Sequence, residues 1–219
     1  MLINEKKTKT IIFNYTDNYQ FTTRLSINDK NIEVIDSTKL LGTIISSDLK
    51  WDLNTAAIVK KANARMQLLR KVASFGASEE DLKNIYILFI RSLLEQSAAV
   101  WHSRLTEENA SDLERIQKSA MSIILQEKFT GYKNALNKLN LPTLSERREQ
   151  LCLSFAIKCA KNPKTRNMFP LNNKLHAINT RNTEKYQVQH ANTERLKSSS
   201  IIYMQNLLNQ HEAQIKNHS

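Results

Sequence analysis

Glycine occurs three times and proline three times in 219 residues, and this scarcity constrains the fold more than any other feature. Tight turns at positive φ call for glycine, and proline pre-sets the first position of many others. An all-β sandwich or a TIM barrel strings together many such turns, so a chain this poor in both is directed toward long helices. Collagen-like and proline-rich classes are excluded by the same counts. Hydrophobic residues at 41% and charged residues at 24% are the proportions of a globular chain rather than a disordered one. The length is enough for one or two domains with a real core.

The periodicity agrees with a mainly α chain carrying a small N-terminal antiparallel β segment, an α+β arrangement. Short apolar or alternating runs at Thr10–Phe13, Tyr19–Thr22, Ile32–Ile35 and Leu40–Ile45 are separated by polar clusters such as Thr16-Asp17-Asn18 and Asn28-Asp29-Lys30-Asn31. They read as short antiparallel strands. After Trp51 the period becomes helical. From Ala56 to Phe75 the apolar face is Ile58, Val59, Ala62, Met66, Leu69, Val72 and Ala73, with Gly76 as the C-cap. Ser78 with Asp81 marks the next N-terminus. The helix that follows is apolar nearly all round, from Leu82 through Tyr86, Leu88, Phe89 and Ile90 to Leu94, and so is expected to be the buried central one. A third helix is expected from Thr106, with Leu113, Ile116, Ala120, Ile123 and Ile124 inward. A fourth follows Pro142 and the Thr143-x-x-Glu146 capping box, with Leu144, Leu151, Cys152, Phe155 and Cys159 inward. Beyond Asn162-Pro163 an Asn-, Lys- and Thr-rich stretch reads as extended up to about Ser199. Ile201–Leu208 is amphipathic and is expected to dock back as a short final helix. These shifts divide the chain into 1–50, 51–162 and a basic, Asn-rich extension, 163–219.

Two cysteines, Cys152 and Cys159, sit seven apart in one helical pattern, which supports neither a zinc site nor a disulfide framework. The N-terminus has no signal-peptide pattern. The longest apolar run, Ile85–Ile90, lies between Lys83 and Arg91 and is far too short to span a bilayer. An intracellular protein, cytoplasmic or nuclear, not secreted and with no membrane partner, is the expectation.

Catalytic constellations are missing from the sequence. Three glycines do not make a phosphate-cradling loop, and no GxSxG or HExxH occurs. The five histidines (His102, His176, His190, His211, His218) are scattered and read as ordinary solvated ones. Glu79-Glu80-Asp81 and Glu107-Glu108 fall at helix N-termini, where the helix dipole explains them. Trp51 and Trp101 are able to stack on bases, but a large aromatic at an element junction is more often core, and core is the reading adopted for both.

The positive signal is charge. The formal net charge is +11, and the excess of basic residues grows along the chain. The most ordered basic surface is one helix: between Leu53 and Ala77 stand Lys60, Lys61, Arg65, Arg70 and Lys71, with no acidic residue. At about 100° per residue, Lys60 and Lys71 coincide opposite the Ile58/Ala62/Leu69 face. Such a face is either simply solvated or tracks a phosphate backbone, releasing counterions. The absence of acidic partners favours the second.

The order of segments resembles that of non-LTR retrotransposon reverse transcriptases of the jockey-like type. Asn4-Glu5-Lys6-Lys7-Thr8-Lys9 before Thr10-Ile11-Ile12-Phe13 is similar to the LNxxKTK-strand segment that follows their catalytic centre, with Ile3 in place of Leu. Lys39-Leu40-Leu41-Gly42-Thr43-Ile44-Ile45 resembles the primer-grip strand, with Leu40 at its aromatic position. Asp48-Leu49-Lys50-Trp51 and Lys60-Lys61-Ala62 resemble the entry into the thumb. Ile85-Tyr86, Arg91-Ser92-Leu93-Leu94-Glu95 and Trp101 are similar to the thumb pattern, with Gln96 where Tyr is usual. Leu113–Lys118 and Leu144-x-x-Arg147-Arg148 resemble two later segments, so the likeness runs over residues 2–160.

The resemblance implies the last strands of a palm followed by a helical thumb-like bundle and its extension. It implies nucleic-acid contact, to an RNA–DNA hybrid or duplex, through Lys39, Leu40, Leu41, Gly42, Lys60, Lys61, Arg65, Arg70 and Lys71. Lys7 falls in the motif whose lysine assists the leaving pyrophosphate in polymerases. The family's chemistry needs aspartates holding two Mg2+ ions, two of them in an aromatic-x-Asp-Asp hairpin. No Asp-Asp pair occurs in this sequence. The expectation is therefore a truncated reverse-transcriptase-derived chain, inactive alone, with no catalytic residue, metal or cofactor of its own. Strands made for a larger sheet would expose an edge and an apolar face, so self-association through residues 1–47 is also expected. The alternatives are a domesticated helical protein-interaction module and a retroelement relic without function.

Overall fold

Sequence-local signals account for most of the elements. The computed structural model describes residues 4, 7–14, 24–172 and 185–218. The strand expected at Tyr19–Thr22 and His176 lie outside the described residues. The chain is mainly α with a small β segment near its N-terminus, and it divides into two compact units, Met1–Lys61 and Ala62–Ser219.

Among its described residues the first unit holds six short strands: β1 (Lys9–Thr10), β2 (Ser26–Ile27), β3 (Lys30–Asn31), β4 (Glu33–Val34), β5 (Ser37–Leu40) and β6 (Thr43–Ser46). They form three two-stranded ladders. β2–β3 and β5–β6 are antiparallel hairpins, whereas β1 pairs with β4 in parallel, Lys9 opposite Glu33 and Thr10 opposite Val34. That corrects the expectation of an all-antiparallel segment. A parallel pair needs a connection of roughly a dozen residues or more, and residues 11–32, with the β2–β3 hairpin inside them, supply it. Asn28 at φ 49° and Asp29 at φ 60° make the turn of that hairpin, the positive-φ pair that suits strand twist.

Helix α1 (Asp52–Ser74) begins beside the buried Trp51 and runs across the division between the units. Ile58, Ala62, Met66 and Leu69 are its buried face, with Val59, Val72 and Ala73 half-buried at its margins. Gly76 stops the helix as expected. Its φ is +81° and its N–H reaches the Ala73 carbonyl at 3.0 Å.

In the second unit α2 (Glu79–Ile85) starts on the Ser78 cap, whose hydroxyl accepts from the Asp81 N–H at 3.1 Å. The helix then widens into a π-helical segment, Tyr86–Arg91, before α3 (Ser92–Glu95) and α4 (Ala98–Trp101). This is where the pattern misleads. Tyr86, Ile90, Leu93 and Leu94 are buried, but Leu88 and Phe89 are exposed, so the helix is not apolar-packed all round. Tyr86 and Ile90, four residues apart, face inward together, and of the three residues between them Ile87 is half-buried while Leu88 and Phe89 face solvent.

Helix α5 (Glu107–Leu125) is capped by Thr106, and α7 (Leu144–Lys161) by the Thr143/Glu146 box, both as expected. Between them α6 (Tyr132–Leu139) follows Gly131, a helix that no capping residue announces in the sequence. On α7 the inward face at that level is set by Cys152, Ala156 and Cys159. Phe155 sits at its edge and is 48% exposed, correcting its expected inward place. After a short α8 (Glu194–Lys197), α9 (Ser200–His218) packs on α7. The final helix is therefore longer than Ile201–Leu208. Its Met204, Leu207 and Leu208 close a cluster with Cys152, Ala156, Cys159 and Phe169.

Candidate nucleic-acid interface

A two-residue turn builds the tip of the β5–β6 hairpin. Leu40 pairs with Thr43, so Leu41 and Gly42 are the loop, at φ 48° and 93°. Two-residue hairpin loops favour positive φ at both positions, because only then does the turn match strand twist. Gly42 adopts it freely, while a left-handed leucine costs roughly 1–2 kcal/mol. The Leu41 side chain is 89% exposed and that of Leu40 57%. Lys39 is exposed on β5, opposite Ile44. The primer-grip-like segment is thus a hairpin tip rather than a single strand.

Hydrogen bonds to the loop behind it hold this hairpin. Ser46 donates to the Asp48 carboxylate at 2.5 Å, and that carboxylate accepts from the Lys50 N–H at 2.9 Å. The Ser46 bond, then the Lys50 amide, hold the Asp48 carboxyl below its ordinary pKa. The Ile44 N–H donates to Asn54 Oδ1 at 3.0 Å, which ties β6 to the first turn of α1. A cleft of about 230 Å³ beside this loop is lined by Asp36, Asp48 and Asp52 together with Lys50, a sign of charge unsuited to phosphate. Lys7 is exposed ahead of β1, with its N–H on the Asn4 carbonyl. β1 belongs to the ladder with β4 and not to that of β5 and β6, so Lys7 and the hairpin are not on one sheet.

The basic residues of α1 are all exposed: Lys60, Lys61, Arg65, Arg70 and Lys71. Among the described residues no carboxylate pairs with Lys60, Lys61, Arg70 or Lys71. Some basic side chains elsewhere are engaged, although Lys118, Lys133, Lys158 and Lys161, all but Lys133 on a helix with carboxylates of its own, also have no ion pair among the described residues. Arg91 and Arg147 share Glu95 at 3.1 and 3.2 Å, Arg115 meets Asp112 at 3.0 Å, and Lys128 pairs with Glu79. Arg65 differs from its four neighbours. Its guanidinium donates to the carbonyl of Phe89 in the π-helical segment, because at about 100° per residue it lies beside the buried face of α1 rather than opposite it.

Trp51 and Trp101 are 6% and 0% exposed and hence core, as expected. The largest departure from the sequence reading is Arg148. It is fully buried, its guanidinium 5.8 Å from the Trp101 ring centroid, with Nε directed at His102 Nδ1 at 3.4 Å. Its terminal nitrogens have no hydrogen-bond partner among the described residues. Burial lowers its pKa, opposed by the charges of Glu114, Cys152 and Glu95. Burial first, then the Arg148 charge, push His102 down to about 4. Nearby, Tyr86 donates to Gln117, Gln117 Nε2 donates to Tyr132 Oη and the Pro142 carbonyl at 2.9 Å each, and Tyr132 donates to Glu114. Glu114 also accepts from the Leu144 N–H at 3.1 Å. Satisfied buried networks of this kind fix helices in register. Only the Arg in L-x-x-R-R signalled any of this, and a surface arginine would have left the same trace.

Compared with family models, with curated proteins and with solved structures, the chain matches none. Among the described residues no group of His, Cys, Asp and Glu is placed to hold a metal ion, and no helix is long and apolar enough to cross a membrane. What exposed Lys60, Lys61, Arg70 and Lys71 offer chemically is anion binding by groups with no competing carboxylate among the described residues.

Proposed function

We propose that this chain binds the backbone of duplex nucleic acid, an RNA–DNA hybrid or a DNA duplex, through the basic face of α1. The observation that carries the reading is that Lys60, Lys61, Arg70 and Lys71 are exposed along one helix that has no acidic residue after Asp52, and that among the described residues no carboxylate pairs with any of them. Desolvating an unpaired cation against phosphate breaks no existing ion pair, so counterion release appears in full as affinity. The resemblance to jockey-like reverse transcriptases gives the same helix the same role and adds the Lys39–Gly42 hairpin as a grip on the primer. With no Asp-Asp pair in 219 residues, the reading is a reverse-transcriptase-derived binder that does not itself polymerise.

A salt titration tests it. If those four side chains each neutralise a phosphate, log K falls with log salt at a slope of about −3.6. The variant K60A/K61A/R70A/K71A should lose most of that slope. A flat slope in the native chain, or an unchanged one in the variant, removes the proposal.

A second reading, a protein-interaction module, is favoured by the open ladders of the first unit. Among the described residues each is two-stranded, and Val34 and Leu40 are exposed at 49% and 57%. Concentration-dependent self-association that Ile12→Asp abolishes, in a chain whose nucleic-acid binding is weak and salt-insensitive, would favour it.

A further inference from the structure

The backbone reading above makes no use of the apolar surface beside Arg65. Leu88 and Phe89 project from the middle of the π-helical segment at 67% and 52% exposure. Leu68, one turn beyond Arg65 on α1, is 49% exposed. π-Helical turns are rare and frequently mark functional positions. Here two large apolar side chains of such a turn stand exposed.

The electrostatic setting narrows the partner. No acidic residue occurs between Leu82 and Leu94, nor on α1 after Asp52. The Arg65 guanidinium is fixed on the main-chain carbonyl of Phe89 itself, so the basic helix and the exposed ring meet at one residue. Arg65 has further N–H donors free in number to meet a phosphate. Arg91 and Lys83, the basic residues between Leu82 and Leu94, are paired with Glu95 and Glu80, so the unopposed charge is that of α1. An apolar ring held against that helix through Arg65 complements a polyanion that also presents flat apolar faces. A continuous duplex hides those faces in its own stack, whereas an unpaired nucleotide exposes one.

We propose that Phe89 is a stacking platform for an unpaired base adjoining the duplex that α1 follows, with Arg65 on the neighbouring phosphate and Leu88 shielding the ring edge. The proposal rests on the backbone reading and deepens it, because it makes the preferred ligand a junction of duplex and single strand. Stacking on an aromatic is tolerant of sequence, so the preference is for the junction and not for a particular base.

The experiment uses the full chain and two labelled ligands, a blunt duplex and the same duplex with a four-nucleotide overhang, followed by fluorescence anisotropy. The overhang should tighten binding by roughly 5- to 100-fold. Phe89→Ala should erase that advantage while leaving blunt-duplex affinity and its salt slope unchanged, and Phe89→Trp should keep it. Unchanged helical circular dichroism in both variants separates loss of stacking from loss of fold. Salt-dependent duplex binding with no overhang advantage, or an advantage that survives Phe89→Ala, overturns the stacking role alone. No salt-dependent binding to either ligand overturns the backbone reading and this proposal together. Phe89-dependent binding to phosphatidylserine vesicles, with no overhang advantage, assigns the patch to a membrane surface and overturns it as well.

Discussion

The two compact units are held together by different kinds of interaction. In Met1–Lys61 the buried apolar side chains among the described residues are Trp51 and Ile58, and they are outnumbered by buried Thr43, Ser46, Asn54 and Thr55. Order there comes from short-range hydrogen bonds: Ser46 to Asp48, Asp48 to the Lys50 amide, and Asn54 to the Ile44 amide. Ala62–Ser219 instead buries Trp101, Tyr86, Met121, Leu144 and many others at 0% exposure, and helices distant in sequence close on one another, as α9 does on α7. A net hydrogen bond is worth about 1 kcal/mol, whereas fully burying a large apolar side chain is worth about 1.5–3 kcal/mol. The lesson is that the second unit has the means to be stable and the first has the means to be specific in shape with little stability of its own.

The hardest test of that contrast is in the second unit. Trp101→Ala removes a fully buried ring, its contact with Arg148 and the Nε1–H bond to the Gln96 carbonyl at 2.9 Å. It should cost about 3–5 kcal/mol in a urea melt followed at helical wavelengths. A loss below about 1 kcal/mol would show that burial does not hold this unit.

Hydrogen exchange compares the units directly. Amides of residues 26–46 should exchange at least about 100-fold faster than those of α5 and α7, because few buried contacts oppose local opening. Equal or greater protection in the strands would reverse the contrast.

A third test uses pH. His102 has its pKa lowered to about 4 from 6.5, so between these values the unfolded chain binds the extra proton. Stability is then complete above about pH 6.5 and declines as pH falls toward 4. Over that window the loss should be of the order of 1–2 kcal/mol after allowance for solvent screening. The interval from pH 6.5 to 5 is the cleanest, since carboxylates titrate mainly below it. His102→Gln, which keeps an acceptor for Arg148 but does not titrate, should flatten the dependence of the melting temperature. The same slope in both proteins would place its origin elsewhere.

The smallest effect belongs to the first unit. Leu41 has φ 48° with an 89% exposed side chain, so Leu41→Gly relieves backbone strain and loses little burial. The hairpin should gain about 0.5–1 kcal/mol, offset in part by glycine's entropy. Nucleic-acid affinity should fall at the same time if that leucine contributes to the grip. A destabilised hairpin would mean that the leucine side chain is held by contacts worth more than its strain.

Much of the helical scaffold was legible before folding was considered. Ser78, Thr106, Thr143 with Glu146, and Gly76 each mark a helix end through a bond to a backbone group within a few residues. Such signals are local and survive in the sequence. Helix α6 escaped notice because Gly131 makes no side-chain cap. The parallel pairing of β1 with β4 escaped because two-residue strands carry no register information of their own. The candidate interface was legible as charge: all five basic side chains of α1 are exposed, as the helical period requires. That Arg65 is partly committed to Phe89 was not, since its partner is a main-chain carbonyl, which every residue possesses.

Sequence alone determined that this chain is mainly helical, where α2, α5 and α7 begin and where α1 stops, and which helix carries no acidic residue against its basic ones. All of these follow from residue type and spacing within a turn or two. Tertiary structure decided that Leu88, Phe89 and Phe155 face outward while Arg148 goes inside beside Trp101. The reason is that burial depends on what packs against a face. An apolar stripe specifies only that a face can be covered, and the neighbouring helices determine how much of it is.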